Sequence, residues 1–413
     1  MNNGEILPVT GGPAAGTLPQ PAQRVLTIDI LRALTMVLMI FVNDLWSLKN
    51  IPEWLEHVAP GVDGMGLADV VFPAFLFIVG LSLPFAIENR RKKGATNLQL
   101  VQHVVVRAFA LLVMGVFLVN GETYNEEATG MARVFYNPLC CLAFILIWNS
   151  YPATMKKIWN YALKSIGLII LVFLAVIYRG GENGEIQRFA PQWWGILGLI
   201  GWAYLAGGLI VVLSKARYWI IQVAWLVFAI LSIVYKAGLI PHHSAISFIP
   251  GAILGGTITG FTVGGALTAL IFQYYRNKKD NLGLTVVFVL FALVLIGLSV
   301  VTRPYWGLAK LGATPAWLFL CSAYTILGFI VIYWIADVAG KGKIFNILKP
   351  AGTDTLLCYL IPYFAYAFTR ILGIHLPEVI LIGAIGLIKS FLFAMLCVLI
   401  TYWLSRVGVR LKL

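Results

Sequence analysis

The stretch EWLEHVAPGVDGMGLADVVFP, from Glu53 to Pro73, sets one imidazole, His57, among carboxylates ending with Asp69, between two long apolar runs. A neutral imidazole near pH 7 is the side chain best suited to remove a proton from an incoming nucleophile. The plainer reading of His57 is an inert loop histidine, one of five with His103, His242, His243 and His375. Asp69 could orient that imidazole, or it could cap the helix it opens and stabilise its positive end. Just upstream, VNDLW puts Asn43 and Asp44 near the end of the preceding run, within reach of whatever His57 touches. In the same run Asp29 and Arg32 share a face at i, i+3 spacing. They are either a structural ion pair or the lining of a polar cavity opening at the run's other end.

The elements that position these groups must sit in lipid. With 60% hydrophobic and 11% charged residues among 413, and a mean hydropathy of +0.88, the chain lies outside what a soluble globular protein can solvate. The net charge of +13 is spread in short clusters between apolar runs, which sets topology rather than binding a polymer, so no nucleic-acid partner is implied. Cys140, Cys141, Cys321, Cys358 and Cys397 all fall inside apolar runs and read as small buried hydrophobes, with neither disulfides nor a metal site expected.

Runs near the ~20 residues that cross a bilayer fall at roughly 25–46, 66–87, 103–120, 133–150, 160–178, 195–213, 218–235, 246–273, 283–302, 316–336, 355–372 and 378–403. None alternates like a barrel strand, so the expected fold is all-α, a polytopic helical bundle of about ten to twelve transmembrane helices. Residues 1–22, rich in Pro, Gly and Ala, read as a disordered cytoplasmic tail, and 23–413 as a single membrane domain. Every second loop is basic: Arg90 to Lys93, Lys156 and Lys157, Lys215 and Arg217, Arg276 to Lys279, and Lys341 to Lys349. Both termini are therefore expected in the cytoplasm and the His57 loop outside.

The chain has no Walker-type loop, zinc spacing, serine nucleophile elbow or paired-cysteine motif, which removes ATP-driven pumps and most hydrolases. The glycines of GAILGGTITGFTVGG, Gly251 to Gly265, are spaced for close helix packing.

RVLTIDILRALTMVLMIFVND, then the histidine loop, then GLADVVFPAFLFIVGLSL closely resembles the opening of the heparan-alpha-glucosaminide N-acetyltransferase family. SFIPGAILGG and KPAGTDTLLCYLIPY also resemble it, so the likeness covers nearly the whole membrane region. The resemblance implies a transmembrane enzyme that takes acetyl from cytoplasmic acetyl-CoA and delivers it to the amino group of a terminal glucosamine across the membrane. It puts the active histidine at His57, its partners at Asn43 and Asp69, and the first motif at Arg24, Asp29 and Arg32. Polyanionic CoA would sit near Arg24, Arg32 and Lys349, Asn43 would polarise the acetyl carbonyl, and His57 would act as base or carry the acetyl group itself.

Two departures bear on the acceptor. The His57–Asp69 loop is about two residues longer than in animal members, and PHHSAI stands where many members have an Asp-Pro-Glu-Gly turn. A bacterial inner-membrane protein acting on glucosamine or a related amino sugar is expected. Its alternatives are an amino-sugar or small-anion transporter and an O-acetyltransferase of a surface polysaccharide. A homodimer is compatible with the apolar surfaces common to such bundles.

Overall fold

The computed structural model describes residues 25–181, 185–240 and 248–412. Twelve long helices run through these residues: α1 Leu26–Asp44, α2 Leu67–Lys92, α3 Asn97–Asn120, α4 Arg133–Trp148, α5 Lys157–Ile177, α6 Ile196–Leu213, α7 Tyr218–Lys236, α8 Thr257–Lys278, α9 Asn281–Trp306, α10 Pro315–Tyr333, α11 Thr355–Ile371 and α12 Gly383–Arg406. Each expected run is one of them. Among the described residues nine are long and apolar enough to cross a membrane, and α4 and α11 are shorter apolar helices. The exception is α8, whose apolar run is diluted by Thr, Gly and a polar last turn. It begins later than expected, after a short turn at Gly251–Leu254.

That composition suits α8 to the centre of the bundle, since a helix buried against protein on all sides needs small residues more than hydropathy. It packs along α2 so closely that a Cβ on Gly265 would meet the Phe77 carbonyl oxygen at 2.0 Å, and one on Gly80 would meet that of Thr262 at 1.9 Å. Against this pair pack α1, α6 and α10, with α3 laid along α6, while α5, α7, α9 and α12 keep most of their surface outward, as lipid-facing helices do.

Successive helices alternate direction, and the connections gather at two ends. At one, Lys49 N–H donates to Leu381 O, Gly64 N–H to Leu308 O and Asn125 N–H to Arg179 O. A two-residue hairpin, Arg179–Gly180 with Gln187–Arg188, lies among these loops. At the other end Arg91 donates to Val212 O, Tyr333 to Asn281, Thr27 to Asp337 and Ser150 N–H to Arg410 O. Both described chain ends lie at this second, basic end. His57 lies at the first.

A charge buried inside the bundle needs partners, since lipid supplies none. Asp44, 1% exposed, is held by Lys389 Nζ at 2.7 Å, Ser390 Oγ at 2.6 Å and Tyr366 OH at 2.8 Å, which ties α1 to α11 and α12. It is thus a structural lock rather than a neighbour of the histidine, contrary to the sequence expectation. All five cysteines are buried free thiols.

Candidate active site

The first turn of α2 carries out both roles the sequence allowed for Asp69. Its Oδ2 accepts the Gly66 N–H at 3.2 Å, capping the helix, and the Val58 N–H at 3.1 Å; its Oδ1 lies 2.6 Å from His57 Nδ1. The histidine loop is pressed against the helix start, since a Cβ on Gly66 would meet the Glu56 carbonyl oxygen at 1.9 Å. Only glycine lets those backbones approach so nearly.

Pro73 has no N–H to offer the carbonyl four residues back, which belongs to Asp69. The indole of the fully buried Trp317 on α10 fills that vacancy, donating to Asp69 O at 3.0 Å. The carboxylate is therefore fixed through its side chain and its main chain at once. A second staple holds the loop from outside: Asp63 accepts from Arg303 Nε at 3.0 Å and from Leu308 N–H at 2.7 Å. The Leu308 N–H, and beside it the Arg303 guanidinium, hold the Asp63 carboxyl below the usual carboxylate range.

With Nδ1 facing Asp69, the Nε2 edge of the half-exposed His57 ring is left for chemistry. The ring lines a cavity of about 930 Å³ together with Asn43, Trp46, Glu56, Glu122, Arg133 and Tyr359. Asn43 also lines a recess of about 130 Å³ against Tyr359, Tyr363 and Tyr366. His57 and Asn43 thus line one cavity, and Asp69 joins them through its contact with His57 Nδ1.

The expected cofactor residues are divided. Arg32 pairs with Asp29 at 3.4 Å, donates to Ser82 Oγ at 2.7 Å and Gly352 O at 3.3 Å, and lines a second cavity of about 500 Å³. Asp29 and Lys349 line a separate cleft of about 170 Å³, which shares Thr353 with that cavity. Arg24 and the PHHSAI segment lie outside the described residues.

Sequence reasoning missed several groups. Arg90, Arg107 and Lys412 join Arg32 in the second cavity. Arg107 lies over the Tyr204 ring at 5.0 Å, and its buried Nε has no hydrogen-bond partner among the described residues. A lone cation inside the apolar run of α3 was the available signal. Lys310, 253 residues from His57, had none; its Nζ stands 3.4 Å from both ring nitrogens. The two cavities enter from opposite ends and share Ile196, Leu197 and Tyr359.

The described residues thus form a polytopic membrane bundle with a carboxylate–imidazole pair at one end and a cation-lined cavity at the other. Residues 24–183 match the family profile described as heparan-alpha-glucosaminide N-acetyltransferase, catalytic. Mouse heparan-alpha-glucosaminide N-acetyltransferase is 32% identical over 392 residues, covering 82% of this chain and 53% of the mouse protein. The human protein of the same name is 30% identical over 112 residues, 26% of this chain and 16% of its own length. These matches show that the chain is similar to the heparan-alpha-glucosaminide N-acetyltransferase family, most directly over residues 24–183, and it spans about half the length of the mouse relative.

Proposed function

We propose that this protein is a membrane acetyltransferase that takes acetyl from acetyl-CoA at its basic end and passes it to the amino group of a terminal glucosamine or related amino sugar at its histidine end. The observation that carries the reading is the pair of cavities entering from opposite ends and sharing Ile196, Leu197 and Tyr359. The basic loops assign the donor cavity to the cytoplasm by the positive-inside rule, so the acceptor meets the opposite face, the periplasm in a bacterial inner membrane.

The donor's phosphates suit Arg32, Arg90, Arg107 and Lys412, and the unpartnered Arg107 Nε is a buried donor that an anion would satisfy. The slender pantetheine arm would reach past Tyr359 toward His57. On the acceptor side, Trp46, 72% exposed at the cavity mouth, offers a flat face for a sugar ring. Glu56 and Glu122 offer carboxylates for its ammonium.

For transfer, His57 Nε2 takes a proton from the amine, whose lone pair attacks the thioester carbonyl. The new C–N bond forms, the Asn43 amide stabilises the oxyanion, and the C–S bond breaks as the His57 imidazolium returns its proton to the departing sulfur, releasing the CoA thiol. Asp69 keeps Nδ1 protonated and so keeps Nε2 basic.

Release of free CoA thiol from acetyl-CoA by the purified protein, with and without glucosamine, tests the reading. Release should require the sugar and fall at least a hundredfold in His57→Ala, while acetyl-CoA still binds. Near wild-type turnover in that variant would remove His57 from the mechanism. Glucosamine uptake into vesicles with no thiol released would point instead to a transporter.

A further inference from the structure

We propose that Lys310 is a positioning residue for His57, its side-chain nitrogen held against the imidazole and opposing Asp69 in how readily the ring takes up a proton. The proposal rests on the acetyltransferase reading for its role in turnover, but the contact itself is independent of it.

The loop between α9 and α10 brings Lys310 Nζ within 3.4 Å of both His57 Nδ1 and Nε2. Three hydrogen bonds fix the approach, because the same loop is stapled to the histidine segment through Asp63 to Arg303, Asp63 to Leu308 N–H and Gly64 N–H to Leu308 O. A cation this near a titrating ring disfavours the imidazolium, and a carboxylate favours it. His57 therefore feels two opposed neighbours, Asp69 at 2.6 Å and Lys310 at 3.4 Å. Lys310 offsets the pull of Asp69 without taking away the hydrogen bond that fixes the tautomer.

The remaining charged and titratable groups lie on other walls: Glu56 in the histidine loop, Glu122 and Arg133 from the α3–α4 connection, and Tyr359 and Tyr363 on α11, all lining the same cavity. Behind Lys310 stands the Cys321 thiol of α10, which donates to Met65 Sδ. Burial pushes the Lys310 ammonium down from the ordinary lysine value, and the Asp69 carboxylate opposes that shift. The carboxylate that orients His57 thus also faces the Lys310 amine and favours its charged form against burial.

The test follows the His57 ring by NMR in full-length protein carrying 13C-labelled histidine, with the His57 signal identified by its loss in His57→Gln. Removal of the cation in Lys310→Met should raise the ring's titration midpoint by about one unit, the scale of shift expected from a charge in contact. The acid limb of CoA release should move to higher pH by the same amount, so the activity lost is greatest at low pH. Lys310→Arg should keep the midpoint near that of the wild type, and Lys310→Gln replaces the methionine variant should that fail to fold. An unmoved midpoint in the neutral variants would overturn the proposal. A wild type that releases no CoA, with the midpoint shifted as expected, would overturn the role in turnover and leave the electrostatic coupling standing.

Discussion

Asp69 and Arg107 are the residues whose replacement separates chemistry from binding. Asp69→Asn keeps an oxygen that can accept from the Gly66 and Val58 N–H groups, so α2 should keep its cap. It removes the charge that holds a proton on His57 Nδ1, and turnover should fall on the order of a hundredfold or more. Measured kcat, with melting in detergent as the control, checks this. Arg107→Gln should act at the other end, raising the KM for acetyl-CoA about tenfold, as loss of one charge-assisted bond would, with little change in kcat. A fall in kcat with KM unchanged would remove Arg107 from donor binding. Asp69 and His57 could be named from their neighbours in the sequence because they lie twelve residues apart across one loop. Lys310 could not, because no local pattern reports a contact made across 253 residues.

At the scale of the helix, the first turn of α2 depends on α10. Pro73 leaves the Asp69 carbonyl without its usual partner, and Trp317 supplies one at 3.0 Å. Trp317→Phe keeps most of the buried ring but leaves that carbonyl unpaired, at a cost of about 1–3 kcal/mol. The melting temperature should drop and His57 should lose its fixed pairing, so kcat should fall as well. A variant with wild-type stability and turnover would show that the indole bond carries no weight. All twelve helices were readable from hydropathy, since lipid leaves backbone groups no other solution. The start of α8 was not: a helix enclosed by protein answers to packing against α2 rather than to an apolar solvent, so its Thr and Gly residues blur the run's beginning.

For the whole molecule, the expected orientation can be read by labelling, because the native cysteines are all buried. A cysteine at exposed Glu127, on the histidine end, should react with an impermeant maleimide on intact cells. One at exposed Lys93, on the basic end, should react only after permeabilisation. The reverse pattern would put the histidine in the cytoplasm and end the two-sided reading. The sequence by itself determined the membrane bundle and the alternation of basic loops, and it offered the His57–Asp69 pairing as one of two readings, because each rests on hydropathy, charge alternation or short spacing. Only the tertiary structure decided that Asp44 locks helices together, that Arg32 faces a different cavity from Lys349, that Arg107 shares the cavity of Arg32, and that Lys310 stands beside the histidine. The reason is geometric: a helix presents residues to several neighbours at once, and which neighbour each one meets is set by how the helices pack.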